Sequence, residues 1–292
     1  MSDSLPNSKP RHSPRSRFEP KINARVRLEE RDEQILCNLF LHRLMSRSQI
    51  ERAHFSSTVR ANARLRLLFD HGFVARYYPP YAPFGAQAVY RVGKAALPLI
   101  SRRLEMDMEE VRRYFRLTQT PTFVEHTLAV VDLWLQVCEG ARTTPGITLD
   151  LWLAEMKCRH EWAIYTPGAK WKEAFKPDGF FRLEHEVNQT FHSFFLECDL
   201  GHTSAKQFTG KLLTHTRYLE SRLFEEVFGE GNFRTLIVTT GQRRLENLMA
   251  LAQEHNSSLF WFTTFDQIAH SSLLGPIWRP PGRGHQVALI PD

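Results

Sequence analysis

The sequence predicts an α/β chain in two parts. A small front unit holds three helices and then two strands, and a larger back domain runs α-β-β-β-α-β around a mixed sheet. Three observations predict this. Between Leu28 and Gly72, apolar residues recur at helical spacing, as in Ile35, Leu36 and Leu39 and again in Leu65 and Leu68, the mark of helices with one buried side. Beyond Gly72, the runs "FVARYY" and "AVYRV" flank "PPYAPFGAQ", a pair of strands around a Pro- and Gly-containing link. From Pro121 onward, helical and strand-like runs alternate, the pattern of an α/β domain.

Bulk properties bound the classes. With 292 residues, 42% hydrophobic and 24% charged, the chain has room for two ordinary domains with sizeable cores. No run approaches the ~18 apolar residues of a membrane span, so no membrane partner is expected. The first residues, "MSDSLPNSKPRHSPRSRFEP", lack the apolar core of a secretory leader. Cys37, Cys138, Cys158 and Cys198 are widely spaced and form no CxxC pair, which argues against structural zinc or a disulfide framework and fits a reducing cytoplasm. The net charge of +6 is uneven. Residues 1–25 hold six basic residues against two acidic ones, and residues 43–94 hold nine against only Glu51 and Asp70. The remainder is net acidic. A basic front on an acidic back calls for an anionic partner at the front, and double-stranded DNA is the expected one.

Element by element, residues 1–25 are Pro/Ser/Arg-rich without period and are expected to be a disordered basic tail. "LEERDEQILCNLFLHRL" gives a first helix. Ser46 or Ser48 caps a short second one carrying Ile50. "SSTVRANARLRLLFDHG" gives a third, opened by a serine and closed by Gly72, with Arg60 and Arg64 at i, i+4 away from the core face. With the two strands this completes the front unit, residues 26–94. Residues 95–120 read as helical connector. "PTFVEHTLAVVDLWLQVCEG" is a long helix with Pro121 at its start and Gly140 just past its end. "LDLWLAEMK", "AFKPDGFFRLEH" and "FHSFFLECDL" are strands. "KQFTGKLLTHTRYLESRLFEEVF" is one long helix, "FRTLIVTT" a buried strand, "RRLENLMALAQEH" a helix and "SSLFWFTTF" a last strand. Residues 121–270 thus form the back domain, and residues 271–292 an irregular tail.

The chemistry gathers in "KPDGFF…FFLECDL". Strand alternation puts Glu197 and Asp199 on one face and Cys198 on the other. An antiparallel hairpin around "EVNQ" brings Asp178, in its PDG kink, beside that strand end. Carboxylates are costly to hold against an apolar core unless paired, so two explanations stand. Either the three acids hold a hard cation such as Mg²⁺ or Mn²⁺, or Asp178 caps a turn while Glu197 and Asp199 bind local backbone or Arg182.

Two resemblances carry this further. Helix, short helix, basic helix, strand, turn, strand is the winged helix-turn-helix order, and the "L…L…HGFV" passage resembles that family. The resemblance implies groove contacts from Ser57, Arg60, Asn62 and Arg64, and phosphate contacts from Arg47, Arg66, Arg76 and Arg91. The back domain, with "PD" before one strand and "ExD" on the next, looks like the PD-(D/E)xK nuclease superfamily. Asp178 matches its first acid and Glu197 its second, while Asp199 stands where a lysine is expected. In some members of that superfamily a lysine from the following helix takes that role; Lys206 and Lys211 qualify, and Lys211 is preferred because it shares a helix face with Tyr218. Glu125 or Glu155 is a further acid for the site. The whole arrangement, with "HTLAVVD" and "PDG…E-x-D-x-G" over about residues 28–265, is similar to the replication-relaxation proteins of plasmids and integrative elements. That implies DNA binding in replication or mobilisation, with other replication or mobilisation proteins as possible partners. Three roles stay open: a DNA-binding protein that keeps a nuclease shape, an active Mg²⁺- or Mn²⁺-dependent endonuclease, and a protein-binding adaptor of a DNA-processing complex.

Other residues read more plainly. Glu125 and Asp132 fit a solvated helix face, and His126 a buried histidine satisfied by a partner. Trp261 fits a core strand, and no His or Cys spacing suggests zinc.

Overall fold

The computed structural model describes residues 26–78, 88–116, 120–166, 169–255 and 258–290. The expected basic tail of residues 1–25 and the link of residues 79–87 lie outside the described residues.

The front begins with α1 (Glu30–Leu41), β1 (Met45–Ser46), α2 (Arg47–His54) and α3 (Thr58–Asp70), then β2 (Val74–Tyr77) and β3 (Val89–Val92). Ser46 caps α2, its hydroxyl accepting from the Gln49 amide, which satisfies one orphan donor of the first turn. Ser57 occupies the N-cap position of α3, though its side chain makes no capping bond there. Gly72 ends α3 at φ 73°, the left-handed conformation that glycine adopts without strain. The short β1 was not expected; it completes a three-stranded sheet in the order β1-β3-β2. The expected connector is two helices, α4 (Leu97–Arg103) and α5 (Met108–Phe115). Leu97, Ile100 and Val111 bury into the same core as Ile35, Leu39, Leu65 and Leu68.

The back is built on α6 (Pro121–Thr143) and a five-stranded sheet. Its strands are β4 (Ile147–Ala154), β7 (Gly179–His185), β8 (Thr190–Asp199), β9 (Arg234–Thr239) and β10 (Phe260–Thr264). Their spatial order is β10-β9-β8-β7-β4. The pairs β4–β7 and β7–β8 are antiparallel, while β8–β9 and β9–β10 are parallel. The parallel pairs need crossovers. These are supplied by α7 (Ala205–Glu220) with α8 (Leu223–Phe228), and by α9 (Gln242–Gln253); α10 (Phe265–His270) follows the last strand. Alternation along β8 divides the core. Phe194, Leu196 and Cys198 pack with Leu133 and Val137 of α6 on one face. Phe195 packs with Phe208, Leu212 and Leu245 of α7 and α9 on the other.

Several expectations are corrected. The single strand expected over "AFKPDGFFRLEH" is two: β6 (Ala169–Phe175) ends before Pro177, and β7 starts after Asp178. An unexpected β5 (His160–Thr166) pairs with β6 as a separate two-stranded sheet. Glu155 lies in a 3-10 turn of residues 155–157 rather than in a strand. The long helix after β8 breaks at Arg222, which sits at φ 59°. Gly140 lies inside α6, not beyond it, and glycine suits the position because a Cβ there would meet Leu274 Cγ at 2.9 Å. The C-terminal tail is irregular but docked. Trp278 is fully buried, its indole N–H donating to the Leu273 carbonyl at 2.8 Å.

The two parts meet along α6. Gln49 Nε2 donates to the Leu128 carbonyl at 2.7 Å, and Arg52 pairs with Asp132 at 3.0 Å. Val131, Trp134 and Leu135 enter the front core. Among the described residues, no helix is long and apolar enough to cross a membrane.

Candidate functional site

The site lies at the end of the sheet where α6, the turn before β7, the end of β8 and α7 come together. Asp178 extends the β7–β8 ladder by one step, its amide donating to the Leu196 carbonyl at 3.0 Å. That places its carboxylate over the end of β8, where Oδ2 accepts from the Cys198 amide at 2.7 Å. The same oxygen meets His126 Nε2 of α6 at 3.2 Å. Burial pushes the His126 imidazole down, but the Asp178 carboxylate more than reverses this, so its pKa stands above the ordinary value.

Glu197, also buried, projects from the opposite face of β8 toward α7. Lys211 Nζ donates to its Oε2 at 2.5 Å, and His215 Nε2 meets its Oε1 at 2.9 Å. His215 Nδ1 in turn meets the Thr235 hydroxyl at 2.9 Å. A ring carrying its proton on Nε2 satisfies both contacts, donating to the carboxylate and accepting from Thr235. Burial works to raise the Glu197 pKa, but Lys211 and the His215 hydrogen bond prevail and hold it at about 2. Lys211 is raised in turn, first by Glu197 against the opposing effect of burial and then by Asp178. Its side chain stays 43% exposed, so the cation sits at the mouth of the site with its charge facing both acids.

Asp199 departs from the expected cluster. Arg244 of α9 grips it through two bonds, Nε to Oδ2 at 2.8 Å and Nη2 to Oδ1 at 3.0 Å, and the Thr239 hydroxyl adds a third at 2.8 Å. Burial raises its pKa, yet the Arg244 and Thr239 hydrogen bonds outweigh this and lower it. Asp178, Glu197 and Asp199 therefore do not form a three-acid set. Among the described residues, no three His, Cys, Asp or Glu side chains stand together as a metal-holding group. Arg182, an alternative partner for these acids, is taken by Asp150 and Glu230. Lys206 is exposed, and Tyr218 stacks on Phe175 at 4.1 Å in the core, away from Lys211. Glu125 is exposed and outside the site, whereas Glu155 lines a crevice with Asp178 and His126.

The front-unit residues also separate. Arg60 and Asn62 are exposed and make no side-chain hydrogen bond or ion pair among the described residues. Arg64, expected beside Arg60 at the groove, is a structural tie instead. It pairs with the fully buried Asp32 of α1 and reaches the Arg27 carbonyl. Asp32 needs that cation because a buried unpaired carboxylate is costly. Arg47 pairs with Glu51 at 2.6 Å and Arg66 with Asp70 at 2.8 Å. Arg76 lies over the Phe69 ring at 4.3 Å and Arg91 over Phe115 at 5.7 Å. Sequence reasoning passed over His215 and Arg244, while its reading of His126 as satisfied by a partner holds, the partner being Asp178. The "HTLAVVD" stretch quoted above does contain His126, but nothing in its spacing points to an acid 52 residues away.

A family model described as replication-relaxation matches residues 36–231, more than half of the chain. No curated protein matches, and no solved structure matches.

Proposed function

The chain belongs to the replication-relaxation family, and from that premise we propose a DNA-binding protein of plasmid or mobile-element replication or mobilisation. In this reading the front unit is a winged helix-turn-helix with α3 as its recognition helix and β2–β3 as its wing, and the back domain keeps a PD-(D/E)xK-like frame. One observation carries it: the outer face of α3. Val59 is 77% exposed, with the exposed Arg60 and Asn62 beside it, while the Arg64–Asp32 pair fixes the helix from behind. Arg and Asn read guanine and adenine edges, and an exposed valine suits a thymine methyl. The test is a fluorescence anisotropy titration on duplex DNA. Arg60→Glu is expected to weaken binding about tenfold or more, with affinity falling steeply with salt. Unchanged binding in both Arg60→Glu and Val59→Asp rejects the groove assignment.

A second reading, a metal-dependent DNA endonuclease, is favoured by the position of Lys211. It supplies from α7 the cation that the sequence lacks at Asp199, within the field of both Asp178 and Glu197. A Mg²⁺ or Mn²⁺ ion takes one or two carboxylates together with waters and substrate phosphate; here it would have to displace Lys211 or His215 from Glu197, whose two oxygens they engage. Asp178 and Glu197 would hold it, and Asp199 would not. Such an ion supplies charge stabilisation and an activated water for phosphodiester hydrolysis. Lys211 would orient and neutralise the phosphate, and His126 would hold Asp178 in place. Calorimetric titration of Mn²⁺ beside a plasmid-nicking assay, on wild type and Glu197→Gln, decides between the readings. Binding and nicking that both depend on Glu197 support the endonuclease. DNA binding with neither leaves the first reading, and the loss of all three leaves an adaptor.

A further inference from the structure

We infer that Arg43 is a phosphate-binding residue carrying the DNA backbone from the front unit to the Asp178 site; this rests on the DNA-binding reading. Four observations converge on it. Arg43 lines two crevices, one with Arg91, Tyr114 and Phe115, the other with His126, Glu155 and Asp178. It therefore stands between the wing side of the front unit and the acids. Its backbone is left-handed, at φ 67°, just past the end of α1. Glycine is the residue that suits this position, and arginine holds it at a cost, so the side chain has a reason to be there. Its guanidinium makes no hydrogen bond or ion pair among the described residues and lies 5.4 Å from the centre of the Phe123 ring. The crevice it shares with Asp178 and Glu155 presents carboxylates that repel a phosphodiester, and a cation at that edge offsets them.

The path continues outward. Arg91 lies against Phe115 at the end of α5, and Arg113 and Arg116 beside it are exposed with no ion pair among the described residues. Each crevice holds only about 20 Å³, room for about one water-sized group and too little for a base. A duplex would therefore lie across these crevices rather than enter them.

The test uses the full chain and a fluorescein-labelled duplex in an anisotropy salt series. The variants are Arg43→Gly and Arg43→Asn, both at home in left-handed backbone, with Arg60→Glu as the α3 control. The expected result for both Arg43 variants is an unchanged or higher melting temperature and affinity about fivefold lower. The slope of log K against log [salt] is expected to be shallower by about one. Wild-type affinity and slope in both Arg43 variants, while Arg60→Glu weakens binding, overturns the path and leaves α3 docking intact. No binding by the wild type overturns both.

Discussion

At the scale of single residues, neighbouring arginines of one helix have opposite duties. Arg60 and Arg64 share a face by spacing, yet Arg64 is turned into the pair with buried Asp32 and Arg60 stands in solvent. Removing the cation from a buried carboxylate costs about 3 kcal/mol. Arg64→Met is therefore expected to lower stability by roughly that amount in denaturant unfolding, with the Arg60→Glu midpoint unmoved. Equal stabilities would mean that Asp32 is satisfied without Arg64. The His126–Asp178 pair carries a pH signature. His126 has its folded pKa raised above its ordinary 6.5, so the pair's contribution is complete below about pH 6.5 and fades as pH rises through the higher folded value. In an NMR titration the His126 ring is expected to show a midpoint above 6.5. Asp178→Asn is expected to bring it below 6.5, since burial and the Lys211 charge then outweigh the weaker pull of the Glu197 charge. A midpoint that ignores Asp178→Asn refutes the contact.

Elements show which parts of this molecule are legible in sequence. The run "FHSFFLECDL" declares β8 because its two faces alternate, Phe194, Leu196 and Cys198 against Phe195, Glu197 and Asp199, and the PDG kink places Asp178 beside it. Lys211 does reach Glu197, but the shared face with Tyr218 that singles it out in the sequence is not the reason, since Tyr218 turns into the core against Phe175. The β5–β6 hairpin was missed because its strands pair only with each other, so neither carries the buried run of a strand in the main sheet. The Arg244–Asp199 grip was equally invisible, since 45 residues separate the partners and only the fold brings α9 over β8. The end of α6 was misread because Gly140 looks like a stop. Its reason is contact, not conformation. Alanine there gains about 1 kcal/mol in helix propensity, but its Cβ would press on Leu274 Cγ at 2.9 Å, and overpacking costs about 1–3 kcal/mol. Gly140→Ala is expected to destabilise by about 1 kcal/mol net, and less in a Leu274→Ala background, where the clash is gone. Additive effects in that double-mutant cycle would show that the glycine serves only the backbone.

For the whole molecule, the important fact is that α6 belongs to two cores. Val131 and Trp134 pack in the front core, while Val130, Leu133 and Val137 of the same helix pack against the sheet. The buried His42 ring lies 4.6 Å from Trp134, Trp134 lies 6.5 Å from Trp152, and Trp152 stacks at 6.1 Å on Phe181 of β7. This aromatic run passes from the end of α1 to β7 of the main sheet. Burial alone lowers the His42 pKa to about 3, so the ring is neutral at physiological pH and joins this run by packing rather than by charge. The outer face of α3 and the acids at the end of β8 are then held at one fixed separation, which a flexible linker would not provide. Such a junction couples the unfolding of the two parts. In the wild type, melting followed by tryptophan fluorescence and by far-UV circular dichroism is expected to coincide in one transition. Trp134→Ala removes about 3–5 kcal/mol of packing from the shared surface and is expected to split the transition, the fluorescence change preceding the loss of helix. A single transition at a merely lower temperature would place the coupling elsewhere, in the Gln49–Leu128 and Arg52–Asp132 contacts. Two transitions already present in the wild type would show that the parts fold independently and that nothing in the junction fixes their separation.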